Sequence, residues 1–379
     1  MASQSQANAS APTVARGSLL AYRTFDASDS VSLEDARALL LSAERGRASV
    51  EFRRPPRREL GALQESALPL CVELGPRRLD VAGAEVLCSA SARLFDYGTI
   101  SVTFELPIPE LTTLSDVAEL ADALQESVAL STLAEAEYEG ITQKIGPALS
   151  GRHPPAAVQS YVVVFIEQLE PALPPSVLLE WAELPKLVAC ERDGGLASEQ
   201  QRQDLLRTTD AYRADDLVVI GSACALVLEP GGERDVPEVI ELARAQLAQL
   251  VNYDAQLDRE LSAAHRDLDR SALRVALYSP FSSTVRRLSR RRLELAAFTE
   301  RVDSALKIVS DAYLARIYTK ANERFALPDL KHRVAHKHRL LQEFYTALKD
   351  EVSMVRSVSL EVLIALMILL EVIFALTGH

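Results

Sequence analysis

Apolar positions divide the chain into a first half of short runs and a second half of long stripes. In the first half, runs rich in β-branched and aromatic residues predict strands near Gly17–Phe25, Ala48–Arg53, Leu68–Leu74, Glu85–Ala90 and Thr99–Leu106. A helix is expected from Ser32, an N-cap type residue. Glu34 and Asp35 stand in its first turn, and Leu33, Ala36, Leu39 and Leu40 form its apolar set. Helical spacing returns from Leu111 to Ala148 and breaks at Gly151–Pro155. Tyr161–Ile166 then reads as a strand buried on both faces, and a helix over Ser176–Ala189 carries Trp181. A second buried strand is expected from Asp216 to Leu228, closed by Pro230, Gly231 and Gly232. Strand, acidic turn and helix follow in the same order at Leu19–Leu41 and Tyr161–Leu187, which suggests two related α+β halves.

The second half is helical. Between Pro237 and Pro328 glycine is absent and only Pro280 interrupts the pattern. Val239, Ala243, Leu247, Leu250, Tyr253, Leu257, Leu261, Ala264 and Leu268 form one stripe. Leu295, Phe298, Val302, Ala305, Val309, Tyr313 and Ile317 form another, with Pro280 marking a hairpin turn between them. Leu330, Val334, Leu341, Tyr345, Leu348, Val352 and Val355 give a third. Such a hairpin serves either as a stalk for oligomerisation or as packing for the head, and heptad-like spacing alone does not separate the two. The fold class is therefore α+β. A tail over residues 1–16 is expected to be disordered, and a mixed head covers 17–232. A long helical hairpin follows over 233–356, then a hydrophobic helix over 357–379.

Val358–Leu376 is as long, at about 28 Å of helix, as a hydrocarbon core is thick. Its charged residues are Glu361 and Glu371. Leu360, Glu361, Ile364, Ile368, Glu371 and Phe374 are accordingly expected to lie in a single-pass, tail-anchored membrane helix. Lys349 and Arg356 precede it, which would keep the N-terminal domain on the cytoplasmic side. The competing expectation is a helix buried inside an oligomer.

Composition narrows the partners. The net charge of -12 argues against broad, non-specific binding to nucleic acid or anionic lipid. The densest basic run, Arg286, Arg287, Arg290, Arg291 and Arg292, is a candidate polyanion contact, and nucleic acid enters as a partner only through it. The arginines of Arg53–Arg58 read as a solvated loop. Cys71, Cys88, Cys190 and Cys224 form no C-x-x-C pair and are expected to be buried free thiols. His332 and His336 share a helix face near His338, but Lys331, Arg333, Lys337 and Arg339 surround them with repelling charge, so no metal ligand is assigned. The phosphate loop G-x-x-x-x-G-K-[ST], the dinucleotide loop G-x-G-x-x-G and the G-x-S-x-G elbow are all missing. No cofactor and no catalytic residue is therefore assigned.

One further set of residues carries a likeness. Tyr313-Leu-Ala-Arg316-Ile-Tyr318 is followed by Arg324-Phe325, Lys337, Leu340-Leu341, Tyr345, Leu348 and Arg356-Ser357-x-x-Leu360-Glu361, and the series ends in Ile368-Leu-Leu-Glu371-Val. This resembles the C-terminal signature of the required-for-meiotic-nuclear-division family, a domain of unknown function, with the chain as a bacterial-type member. Asp96-Tyr97-Gly98 with Ile100 and Val102 resembles that family's Tyr-Gly strand, although its following tryptophan is absent and Thr103 stands nearby. The resemblance implies a membrane-associated, self-associating protein without assigned catalysis. The functional expectation is thus a membrane-anchored, self-associating, non-catalytic scaffold or partner-binding protein. The alternative is an enzyme whose site is assembled from residues scattered through the head.

Overall fold

Alternate residues of strand β1 (Thr13–Asp26) face two different environments. Leu19, Ala21 and Phe25 enter the hydrophobic core, while Ser18, Tyr22 and Asp26 on the other face meet polar partners. The structure, a computed structural model, describes residues 12–43, 69–81, 83–155, 157–190, 198–271 and 312–376. Among them a nine-stranded sheet places β1 near its centre. The order is β3 (Leu70–Val81), β4 (Ala84–Leu94), β5 (Thr99–Pro107), β1, β8 (Gln159–Glu170), β11 (Cys224–Leu228), β10 (Leu217–Ile220) and β9 (Thr209–Asp210). A short β6 (Thr112–Thr113) also pairs with β1. Neighbours run antiparallel except β8 and β11, which are parallel. A two-stranded sheet joins β2 (Ser30–Val31) to β7 (Leu149–Ser150). The α+β class is as expected.

The core face of the sheet is covered by α1 (Leu33–Ala43), α2 (Leu114–Gln125), α3 (Val128–Lys144) and α5 (Leu184–Ala189), which supply Leu40, Leu114, Leu130 and Leu187 to the core. Ser32 starts α1 as predicted, accepting a hydrogen bond from the Asp35 amide at 3.4 Å. The single helical pattern at Leu111–Ala148 divides into α2 and α3, because Ser127 leaves the helix and caps α3 through the Leu130 amide. The helix expected over Ser176–Ala189 also divides, into α4 (Pro175–Glu180) and α5. Pro185 lies in the first turn of α5, where it has no amide hydrogen to give and disfavours helical backbone before it. The strand expected over Asp216–Leu228 is instead the hairpin of β10 and β11. Its turn is closed by the Gly221 amide on the Cys224 carbonyl at 2.9 Å. The strand expected at Ala48–Arg53 and the Arg53–Arg58 loop lie outside the described residues.

The chain divides into two compact units. The first comprises Met1–Asn252 and Glu300–Pro328, and so holds the sheets, the first part of α7 (Asp235–Ser271) and α8 (Ala312–Arg324). The helix α6 (Glu199–Arg207) precedes β9 within it. The second comprises Tyr253–Thr299 and Asp329–His379. Within it Tyr253 and Leu257 of α7 are buried, as are Leu330, Val334 and Leu341 of α9 (Leu327–Leu376). Lys337 spans this packing, reaching Asp254 at 2.8 Å and Asp258 at 2.7 Å. The Pro280 turn and the stripe from Leu295 to Val309 lie outside the described residues.

The expected membrane anchor is overturned. Among the described residues no helix is long and apolar enough to cross a membrane. Val358–Leu376 forms the end of α9, a continuous helix of 50 residues. Glu361 and Glu371 are exposed on it. Two carboxylates at about 2.5–3.5 kcal/mol each in hydrocarbon consume most of what the apolar residues would gain. Leu360, Ile364, Ile368 and Phe374 are therefore positions on a long helix rather than lipid-facing anchors. The single-pass, tail-anchored placement with a cytoplasmic N-terminal domain falls with it.

Candidate functional site

The second face of the sheet is lined by a row of polar pairs with α7. The helix runs in the same direction as β1, with Arg234 near Ser18 and Asn252 near Asp26. The strand advances about 26 Å between those points and the helix about 27 Å, so contacts repeat along the pair without drifting apart. At one end Arg234 bonds Ser18 at 3.1 Å and Glu105 at 2.6 Å, with its guanidinium 3.9 Å from the centre of the Phe165 ring. Next, Arg93 bridges Glu238 at 2.9 Å and Glu241 at 3.3 Å. Thr103 donates to Glu241 at 3.1 Å, and Tyr22 to the Pro237 carbonyl at 3.3 Å. Burial alone would lower the Arg93 pKa, but the two glutamates outweigh it and hold the guanidinium charged. Arg244 has no such compensation. It donates to the Ser160 carbonyl at 2.8 Å between the Tyr161 and Phe325 rings, and burial lowers its pKa to about 10.

The row ends where three loops meet, at Asp26, Asp29, Thr99, His153 and Asn252. Two glycines allow the meeting. Gly98 has φ +97°, and a Cβ there would lie 1.7 Å from the Ser28 carbonyl oxygen. Gly151 has φ +66°, and a Cβ there would lie 1.8 Å from Asp29 Oδ2. The loops are tied by Ala27 N–H to Gly98 O at 3.0 Å, Asp29 N–H to Ser150 O at 2.9 Å and His153 N–H to Ala27 O at 3.1 Å. Asp26 accepts from Asn252 Nδ2 at 2.5 Å and from Thr99 Oγ1 at 3.5 Å. His153 Nε2 lies 3.6 Å from Asp26 and 3.9 Å from Asp29. Its Nδ1 lies 3.3 Å from Asn252 Nδ2 and 3.4 Å from the Pro154 carbonyl oxygen. Burial pushes the Asp26 carboxyl well above the ordinary range; the Asn252 bond opposes this and Asp29 adds to it. The cluster can hold and share a proton. Both oxygens of Asp26 are engaged, so its first role is to latch α7 to the sheet. Asn252 Oδ1, Gln249 Oε1, Thr24 Oγ1 and Ser101 Oγ are buried without a hydrogen-bond partner among the described residues.

On the core face, Arg23 is fully buried and donates to the Leu124 and Gln125 carbonyls at 2.6 and 3.2 Å. A cation there meets the negative end of α2, and burial lowers its pKa to about 10.

The residues assigned from sequence fall elsewhere. Glu361, Ile364, Ile368 and Glu371 are exposed on α9, together with Leu366, Met367, Leu369 and Ile373. Leu360 and Phe374 lie on the same helix. Arg286, Arg287, Arg290, Arg291 and Arg292 lie outside the described residues. Sequence reasoning missed Asp26, His153 and Asn252 entirely, and no spacing links them. The Asp96-Tyr97-Gly98 likeness was the one signal that pointed at this corner. It also missed that Cys190 and Cys224 meet.

The family model described as "Uncharacterized protein MJ0711, N-terminal domain" matches residues 16–235, more than half of the chain. No curated protein and no solved structure matches it. The expectation of a domain of unknown function holds, but the matching family is not the meiotic nuclear division family. The residues that carried that likeness most densely, from Tyr313 onward, lie beyond the matched segment.

Proposed function

The chain belongs to the family of the N-terminal domain of uncharacterized protein MJ0711, and from that premise we propose that it is a self-associating, non-catalytic scaffold in which a second copy covers the end of α9. The supporting observation is the exposed band of Ile364, Leu366, Met367, Ile368, Leu369 and Ile373, each at least half exposed. At about 100° per residue, Leu366, Leu369 and Ile373 fall along one side of the helix. Glu371 falls on the opposite side, and Glu361 lies at the margin, about 80° around the helix from Leu369. Immersion in lipid would bury both carboxylates, whereas pairing along the Leu366 seam leaves them in water. Burying half of such a band contributes on the order of 5 kcal/mol per copy before the cost of association. The likeness of the C-terminal third to the meiotic nuclear division family belongs to the same proposal, since it implies self-association. The rival reading, an enzyme in the head, rests on Asp26 and His153, whose latching contacts already account for their burial.

Light scattering on the size-separated full chain tests the proposal. The parent should elute at a multiple of its 41.5 kDa mass. Leu366→Asp with Ile373→Asp should elute as a monomer, and Ile364→Asp on the glutamate side should change the mass little. A parent that is monomeric at every concentration would sink the proposal.

A further inference from the structure

Cys224 opens β11 with its side chain fully buried, donating to the Ala225 carbonyl at 3.6 Å. Cys190 follows the last turn of α5, partly exposed, and its thiol lies 3.7 Å from the Leu187 carbonyl. The two thiols lie close enough for Cys190 to add to the upward pKa shift of Cys224. Gly221 makes this approach possible, because a Cβ there would lie 2.0 Å from the Val188 carbonyl and 2.7 Å from the Cys224 carbonyl. The end of α5 therefore lies flush on the β10–β11 turn. Cys190 also holds φ 52°, a left-handed conformation uncommon outside glycine, which signals a backbone constrained by its surroundings. Cys71 and Cys88 share no such arrangement, since in the β3–β4 register they stand opposite Arg93 and Arg77.

We propose that Cys190 and Cys224 are a modification site, a thiol pair that closes to a disulfide when the protein meets a peroxide. Cys190, the accessible member, attacks first. Its thiolate takes one peroxide oxygen, the O–O bond breaks, and hydroxide leaves to become water, giving a sulfenic acid. The Cys224 sulfur then attacks the Cys190 sulfur, the S–O bond breaks and a second water leaves. One peroxide is reduced to two waters as two thiols become one disulfide. Burial raises the Cys224 thiol pKa and keeps it protonated, so Cys190 rather than Cys224 meets peroxide first, and the Cys224 proton leaves with the Cys190 oxygen as water in the second step. The bridge would close the loop that carries α6, β9 and β10. Asp210 of β9 is held there by Arg316 at 3.2 Å and Lys320 at 3.0 Å of α8, so oxidation tightens the sheet edge on which α8 docks.

The test is to treat the full chain with hydrogen peroxide, cap free thiols, digest without reductant and weigh the peptides. The expected product is an intramolecular Cys190–Cys224 link lacking two hydrogens, carrying no added oxygen and released by a thiol reductant. It should exceed any link to Cys71 or Cys88 at least about tenfold, and persist in Cys71→Ser with Cys88→Ser. The linked protein should melt about 5–10 °C higher than the reduced one. In Cys224→Ala the sulfenic acid should accumulate on Cys190 and react with dimedone. The proposal is overturned by a parent whose Cys190 stays reduced, runs on to sulfinic acid without linking, or links only between chains.

Discussion

At the scale of single residues, Asp26 has the most to say about pH. Its folded pKa lies above its unfolded one because burial penalises the charge. The stability it contributes is then fully present below the ordinary carboxylate range and is lost as pH rises through the raised folded value. Asp29 and His153 face it, so the pH profile of the protein is not due to Asp26 alone. Comparing Asp26→Asn with the parent isolates the difference. Asparagine carries no charge to bury, and the unpartnered Oδ1 of Asn252 can accept from its amide after a flip of the Asn252 side chain. Urea unfolding at about pH 5 and about pH 8 should show Asp26→Asn gaining on the parent at the higher pH by roughly 1–2 kcal/mol. A variant that loses more stability than the parent between the two pH values would contradict this sign.

At the scale of elements, the polar row between β1, β4 and α7 decides how the helix seats. Glu241 is almost fully buried, and its charge is tolerable because Arg93 and Thr103 reach it. Removing the cation with Arg93→Met should cost about 3–5 kcal/mol, because it strands a buried carboxylate. Adding Glu241→Gln should return more than half of that loss, which a double-mutant cycle by chemical denaturation can read. Purely additive losses would mean that the pair is not coupled.

The same element shows what the sequence could and could not tell. The stripe of Val239, Ala243, Leu247 and Leu250 announced a helix, and all four are buried. Glu241, Arg244, Gln246, Gln249 and Asn252 are buried as well. Their partners, such as Arg93, Tyr97 and Asp26, lie far away in the chain. A hydrophobic pattern registers burial only where it is apolar, so a helix buried on nearly all sides with a polar inner face looked half exposed. Strand β5 was legible because alternation and β-branching agree there, and β1 and β8 because each holds a continuous buried run. The breaks at Ser127 and Gly221 were not, since each turns on one residue inside an otherwise continuous pattern.

At the scale of the molecule, the C-terminal helix was misjudged because apolar content was counted without regard to where two glutamates fall around the helix. Placed on one side, they are compatible with a helical partner and costly in lipid. If a second copy is that partner, the two compact units should respond differently to dilution, because the exposed band lies in the unit formed by Tyr253–Thr299 and Asp329–His379. Association stabilises only what it binds, and each tenfold dilution withdraws about 1.4 kcal/mol from it. The single tryptophan, Trp181, sits after α4 in the other unit and reports that unit alone. Melting followed by Trp181 fluorescence should therefore stay constant on dilution. Helix loss followed by circular dichroism should gain an earlier phase that moves down by about 2–4 °C per tenfold dilution. Leu366→Asp with Ile373→Asp should abolish that movement while leaving the fluorescence melt in place. Curves that coincide at every concentration in the parent would remove the reason to give α9 a partner of its own kind.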